Sequence, residues 1–234
     1  MRGSVILQAK CLVATAACLA LLTTSALAQA QQCAGTQVSV TSENQDHVAL
    51  VCEAATKAVS VFAECAIPAL RVPTNIAIVD AIPQGCFGLF HCETRMIEIL
   101  SPDVLDEARN PDSVLAHLTN DAFFQSIVVH ELTHAASEGM PCPFDGCLIG
   151  PEYVAYLMQL RSLAPEALEE FESGIDMQLP VTPEQFHPIV ILMSPDIFSR
   201  RVWAHHWQHD DRCGFVGELI SGESYFDFEI FDAV

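Results

Sequence analysis

Two imidazoles one helical turn apart restrict this chain more than any other feature of it. His130-Glu131-Leu132-Thr133-His134 lies in an apolar run that begins at Asp121 and passes through Phe123, Phe124, Ile127, Val128 and Val129. On an α-helix, residues four apart differ by about 40° and share a face. His130 and His134 can therefore present two ring nitrogens to one metal ion, and the fold must bring a third donor to that face. Glu131 projects about 100° away from His130. It stands outside the pair, within reach of a water on the metal. Two ligands and a general base at this spacing are what a zinc hydrolase needs. The competing reading is a helix whose histidines fall this way by accident.

The third ligand is the open question. A catalytic zinc takes three protein ligands and leaves a fourth position for water. The extended metzincin motif would need glycine at position 137 and histidine at 140; this chain has Ser137 and Met140, which excludes that class. Glu152 lies eighteen residues after His134 and opens the segment Pro151-Glu-Tyr-Val-Ala-Tyr-Leu-Met158, which reads as a helix with Pro151 at its first position. A glutamate in a first helical turn is also favoured by the helix dipole, whatever its function. His205, His206 and His209 are the rival ligands. His205 and His209 again stand four apart, although singly such residues are more often surface or packing groups.

The stretch from Asp121 to Leu163, about a fifth of the chain, resembles the gluzincin group of zinc metallopeptidases. The resemblance rests on the motif histidines and the downstream helical Glu152. It implies zinc held by His130, His134 and Glu152, Glu131 as general base, and a zincin-like fold that holds an extended peptide along a strand. Tyr156 departs from the pattern. Many members carry an acidic residue there, so orienting support for a motif histidine must come from elsewhere. Tyr153, Tyr156 and the C-terminal histidines are candidate donors to an oxyanion; Tyr156 shares a face with Glu152, and its alternative role is core packing.

Residues 1–28 read as a cleaved signal peptide: Arg2 and Lys10, an apolar stretch from Cys11 to Leu22, and the Ala26-Leu27-Ala28 cleavage site. That apolar stretch is shorter than the roughly 20 residues a bilayer span takes. Removing Arg2 and Lys10 from ten basic residues leaves eight against 30 acidic ones, a net charge of −22. Such a surface repels phosphate backbones and anionic lipid, which argues against nucleic acid and membrane as partners. A peptide or protein substrate remains. Eight cysteines follow Ala28: Cys33, Cys52, Cys65, Cys86, Cys92, Cys142, Cys147 and Cys213. In an exported, periplasmic or secreted chain they suggest four disulfides. Cys142 with Cys147 is the plausible local pair. Cys52 and Cys65 cannot pair, being about 19 Å apart along one helix.

Apolar periodicity predicts a long helix from Asp46 to Cys65, and Asn75 to Asp80 reads as a strand. Cys86–Cys92 and Thr94–Leu100 read as a hairpin, although no Asn-Gly turn is present. Ser101 can cap a short helix reaching Arg109. The metal helix starts at Pro111 or Asn120 and ends by Glu138 at Gly139 and Pro141. Helices are further expected from Pro151 to Leu163, Pro165 to Met177 and Asp196 to Asp210; the tail from Phe215 to Val234 resists assignment. The expected whole is α+β: a small mixed or antiparallel sheet packed on several helices and stapled by disulfides. It forms one zincin-like domain over 29–234, with a helix and sheet part at about 33–110 and a metal-site and helical part at about 111–234. The favoured function is zinc-dependent hydrolysis of peptide bonds. The alternatives are a non-catalytic zinc-binding or interaction module and a purely structural secreted domain.

Overall fold

The computed structural model of the chain describes residues 30–144 and 146–226. The expected signal peptide at 1–28 and the end of the tail, 227–234, lie outside the described residues. The fold is α+β. Strands β1 (Gln31–Gln32), β2 (Val38–Thr41), β3 (Thr74–Val79), β4 (Gly88–His91) and β5 (Met96–Leu100) form one mixed sheet in the order β1-β2-β3-β5-β4. The β2–β3 and β3–β5 pairs are parallel; β1–β2 and β4–β5 are antiparallel. The first two strands were not expected. Val38-Ser39-Val40-Thr41 does alternate, with Val38 and Val40 buried, but four residues give too short a period-2 signal to stand out beside a polar start.

Helix α1 (Gln45–Glu64) fits the expected span and joins parallel strands β2 and β3, a connection that requires a crossover. It begins at Asn44, whose side chain accepts from the Asp46 N–H. The short helix α2 (Pro102–Ala108) has Ser101 at its cap position, but the Ser101 hydroxyl instead donates to Asp80 (3.1 Å). Helix α3 (Asn120–Ser137) is the centre of the molecule. It packs on α1, α2 and β4, and on helix α4 (Ile149–Arg161). Phe123, Phe124, Val128, Val129, Leu132 and Ala135 are buried around its whole circumference, the property of a helix enclosed on all sides. Each fully buried Phe or Val contributes about 1.5–3 kcal/mol of transfer free energy. Gly139 ends it in a left-handed conformation (φ +90°).

Helix α4 starts two residues before the expected Pro151. Its first bond runs from the Glu152 N–H to the Leu148 carbonyl, so Pro151 falls within the first turn, where no N–H partner is needed. Helix α5 (Pro165–Ser173) ends at Gly174, short of the expected Met177. Helices α6 (Pro188–Met193) and α7 (Pro195–Gln208) follow. An unexpected helix, α8 (Arg212–Ser221), begins at Asp211, whose carboxylate accepts from the Gly214 N–H.

Three disulfides form, not four: Cys33–Cys52, Cys65–Cys213 and the expected Cys142–Cys147. Cys86 and Cys92 remain thiols. They flank β4, and an extended strand of that length separates them by about 20 Å, against the roughly 7 Å a disulfide spans. Three disulfides fit an oxidising, extracellular environment. Among the described residues no helix is long and apolar enough to cross a membrane.

Candidate metal centre

Helix α3 carries His130 and His134, and the turn after it folds α4 back so that Glu152, in the first turn of α4, faces them. The Cys142–Cys147 disulfide closes that turn. His130 Nε2 and His134 Nε2 are 3.2 Å apart. Glu152 Oε2 is 3.4 Å from His130 Nε2, and Oε1 is 3.6 Å from His134 Nε2. Ligand bonds of about 2.05 Å at a tetrahedral angle put neighbouring donors about 3.3–3.4 Å apart. Each separation lies near that value, with the two histidines facing different oxygens of the Glu152 carboxylate; one donor atom from each residue lies within 4.8 Å of the other two. Two imidazoles and one carboxylate with a side left open are also the donor set of a catalytic site. These are the residues that can hold a metal ion among the described residues.

The His130 ring is locked by groups absent from the sequence expectation. Ser126 Oγ donates to the Phe123 carbonyl (2.7 Å), which leaves its lone pairs to accept from Gln159 Nε2 (3.1 Å). The amide oxygen of Gln159 is thereby turned to His130 Nδ1 (3.0 Å), which must carry the proton. His130 Nε2 is left as a lone pair aimed at the centre. Gln159 stands seven residues after Glu152, two turns along one face, and Ser126 stands four before His130. Those spacings were the available signal.

Glu131 is buried against β4. A Cβ at Gly88 would lie 2.6 Å from its Cγ and Oε1. Only glycine lets the strand approach this closely. The β4–β5 hairpin is set against α3 by Arg95, whose guanidinium pairs with Glu138 and donates to the Ala135 carbonyl (3.3 Å) at the end of α3. Arg95 itself takes the left-handed conformation (φ +54°) that an Asn-Gly turn would have supplied.

The electrostatics follow burial and mutual charge. Burial pushes the Glu131 carboxyl up to about 7; the Glu152 charge adds to this, while His130, the Phe90 N–H and His91 oppose it. Burial alone would lower His130, but contact with Glu152 and the charges of Glu152 and Glu131 outweigh it and raise its pKa. Burial and His130 push His134 down to about 4. Burial would raise the Glu152 carboxyl, yet the two histidines hold it below its usual range. The Tyr156 ring meets His130 edge-on at 4.7 Å, and burial with the nearby Glu152, Asp196 and Glu131 charges keeps its phenol protonated. Tyr156 therefore lines the centre as a donor.

The rival histidines are elsewhere. His205 Nδ1 is 3.0 Å from the Tyr153 hydroxyl, inside an aromatic cluster with Phe186 and Phe226. His206 is buried beside Arg161 (3.4 Å), and His209 stacks on Phe215. Neither they nor Tyr153 reach the centre. The three ligands and Glu131 open on a cleft of about 990 Å³ walled by β4, α3, α4 and the α6–α7 corner.

The model of a family described as a family of unknown function, DUF6639, matches residues 38–229. No curated protein and no solved structure matches the chain.

Proposed function

The chain belongs to the DUF6639 family, and we propose that it is an exported zinc-dependent hydrolase of the gluzincin type that cleaves peptide bonds. The observation that carries this reading is the convergence of His130, His134 and Glu152, one donor atom from each within 4.8 Å of the others, beside a buried carboxyl, Glu131, raised to about 7. Zinc bound there would polarise a scissile carbonyl and bring the pKa of a water toward about 7.

The chain's own groups supply the rest. Glu131 takes the proton of the attacking water and returns it to the leaving amine, roles suited to a carboxyl poised near neutrality. Tyr156 donates its hydroxyl to the developing oxyanion. Gln159 holds His130 in the tautomer that ligation needs. The substrate lies along β4, the edge strand of the sheet. Phe87 pairs with β5 through its carbonyl, so Gly88 and Phe90 turn their main-chain groups outward. An extended peptide can add there as a strand. The disulfides suit a periplasmic or secreted enzyme released from the signal peptide read at 1–28.

The test compares wild type with Glu131→Gln on a peptide library, with metal content measured in both. Cleavage by wild type alone, at equal metal content, is the expected result. Metal retained by both with no peptide cut would leave a metal-binding module in place of an enzyme.

A further inference from the structure

Helix α6 has an unusual surface. Its sequence is Pro-Ile-Val-Ile-Leu-Met, and none of its residues is buried. Ile189, Leu192 and Met193 are 63%, 74% and 80% exposed, and Ile197 in the next turn is 47% exposed. Single exposed apolar residues are ordinary, but four within nine residues make a patch that calls for a partner. This patch is not remote from the chemistry. Ile191, Leu192 and Met193 line the same cleft as the candidate metal centre and Gly88, Leu89 and Phe90 of β4.

The corner that carries α6 is anchored. The Asp196 carboxylate, in the first turn of α7, accepts from Ser113 Oγ (3.2 Å) and the Val114 N–H (3.3 Å). The apolar lip is therefore tied to the segment at Ser113 and Val114, which lines the same cleft. The charges lining the cleft are Glu131, Glu138, Glu152 and Asp196 against Arg109. Arg109 is engaged by the Leu118 carbonyl, Asp106 and the face of Phe123. Glu138 is paired with Arg95, and Glu152 faces the position a cation would fill, so the charges of the wall are largely compensated and the lip at α6 is its apolar part.

We propose that α6 selects the substrate: an extended polypeptide segment with bulky apolar side chains, seated in the cleft that β4 and Leu192–Met193 both line. This rests on the peptidase reading of the same centre. The strand edge matches only a polypeptide backbone. Apolar side chains complete the α6 lip, and an Asp or Glu side chain placed against Leu192 and Met193 would be desolvated without a partner. A bilayer is the poorer occupant, because Leu192 and Met193, the most exposed of the four, line a cleft and the chain repels anionic lipid.

The test is binding measured apart from cleavage. Metal-loaded Glu131→Gln protein is titrated by fluorescence anisotropy with a short labelled peptide, Phe-Leu at its centre and Lys at its ends, and with its Glu-Glu counterpart. The first should bind at least about tenfold more tightly. Adding Leu192→Glu and Met193→Glu should remove that preference and leave metal content unchanged, while Leu192→Met with Met193→Leu should keep it. Both positions are mostly exposed, so the variants are expected to fold. Equal binding of the two peptides, or a glutamate pair that changes affinity less than about twofold, overturns the proposal. So does a patch that serves another partner. Two results would show that: vesicle flotation, or self-association in sedimentation, lost in the glutamate pair while peptide affinity is kept. Selective binding through α6 without cleavage by wild type would sink the peptidase reading and leave the α6 assignment standing.

Discussion

Glu131 has to be both buried and mobile in its proton, and Gly88 is what permits it. A methyl group at Gly88 would occupy the space of the Glu131 side chain. Gly88→Ala should therefore lower turnover by about a hundredfold at unchanged metal content; metal loss or full activity would contradict this. Gln159→Ala should weaken zinc binding by about 10- to 100-fold, the usual cost of losing a ligand's orienting partner, as read by competition with a chromogenic chelator. The centre should also release metal in acid. His130 titrates above its ordinary value, so it is the first ligand to take a proton as pH falls, and a protonated imidazole has no lone pair to give. Glu152, held low, and His134, at about 4, keep their ligating forms longer. Zinc affinity is expected to fall by about tenfold per pH unit below the His130 titration; a flat profile between about pH 7.5 and 5.5 would contradict it. The ligand histidines were legible because one helix sets their relation. Gln159 was not, because its partner lies on a different helix and spacing within one helix does not fix contact between two.

At the scale of elements, the centre depends on α4 returning across α3. The Cys142–Cys147 loop is short, and its cross-link is worth about 2 kcal/mol by chain entropy. Replacing both cysteines with serine should cost about that much stability and should weaken metal binding as well, because the first turn of α4 carries Glu152. Thr119→Ala removes the α3 cap, whose hydroxyl accepts from the Ala122 N–H (3.2 Å). It should cost about 1 kcal/mol with metal affinity unchanged. Thermal unfolding beside zinc titration separates the two outcomes. The elements readable from sequence were those with a clear period or a hard stop: α1, β3, the hairpin, α3 with Gly139, α4 and α7. Strand β2 is too short for its alternation to register. Helix α8 sits in a segment where aromatic, acidic and glycine residues alternate, and its order comes from the Asp211 cap and the Cys65–Cys213 link, both invisible to periodicity.

At the scale of the molecule, Cys65–Cys213 is the longest tie, spanning 148 residues and joining the end of α1 to the start of α8. Chain entropy assigns it about 5 kcal/mol, so its removal should lower the melting temperature more than removal of either other disulfide. Its pairing could not be read from sequence, since only the tertiary fold brings the two ends together. The chemistry requires that α1, the sheet and α7 hold α3 and α4 in one arrangement, with one cation held between them. The most direct test is the metal content of the purified mature chain beside His130→Ala, His134→Ala and Glu152→Ala. The expected result is a single zinc ion per wild-type chain and its loss in each variant, with folding retained by circular dichroism. A metal-free wild type under zinc-replete conditions, or variants that keep the ion, would contradict the account.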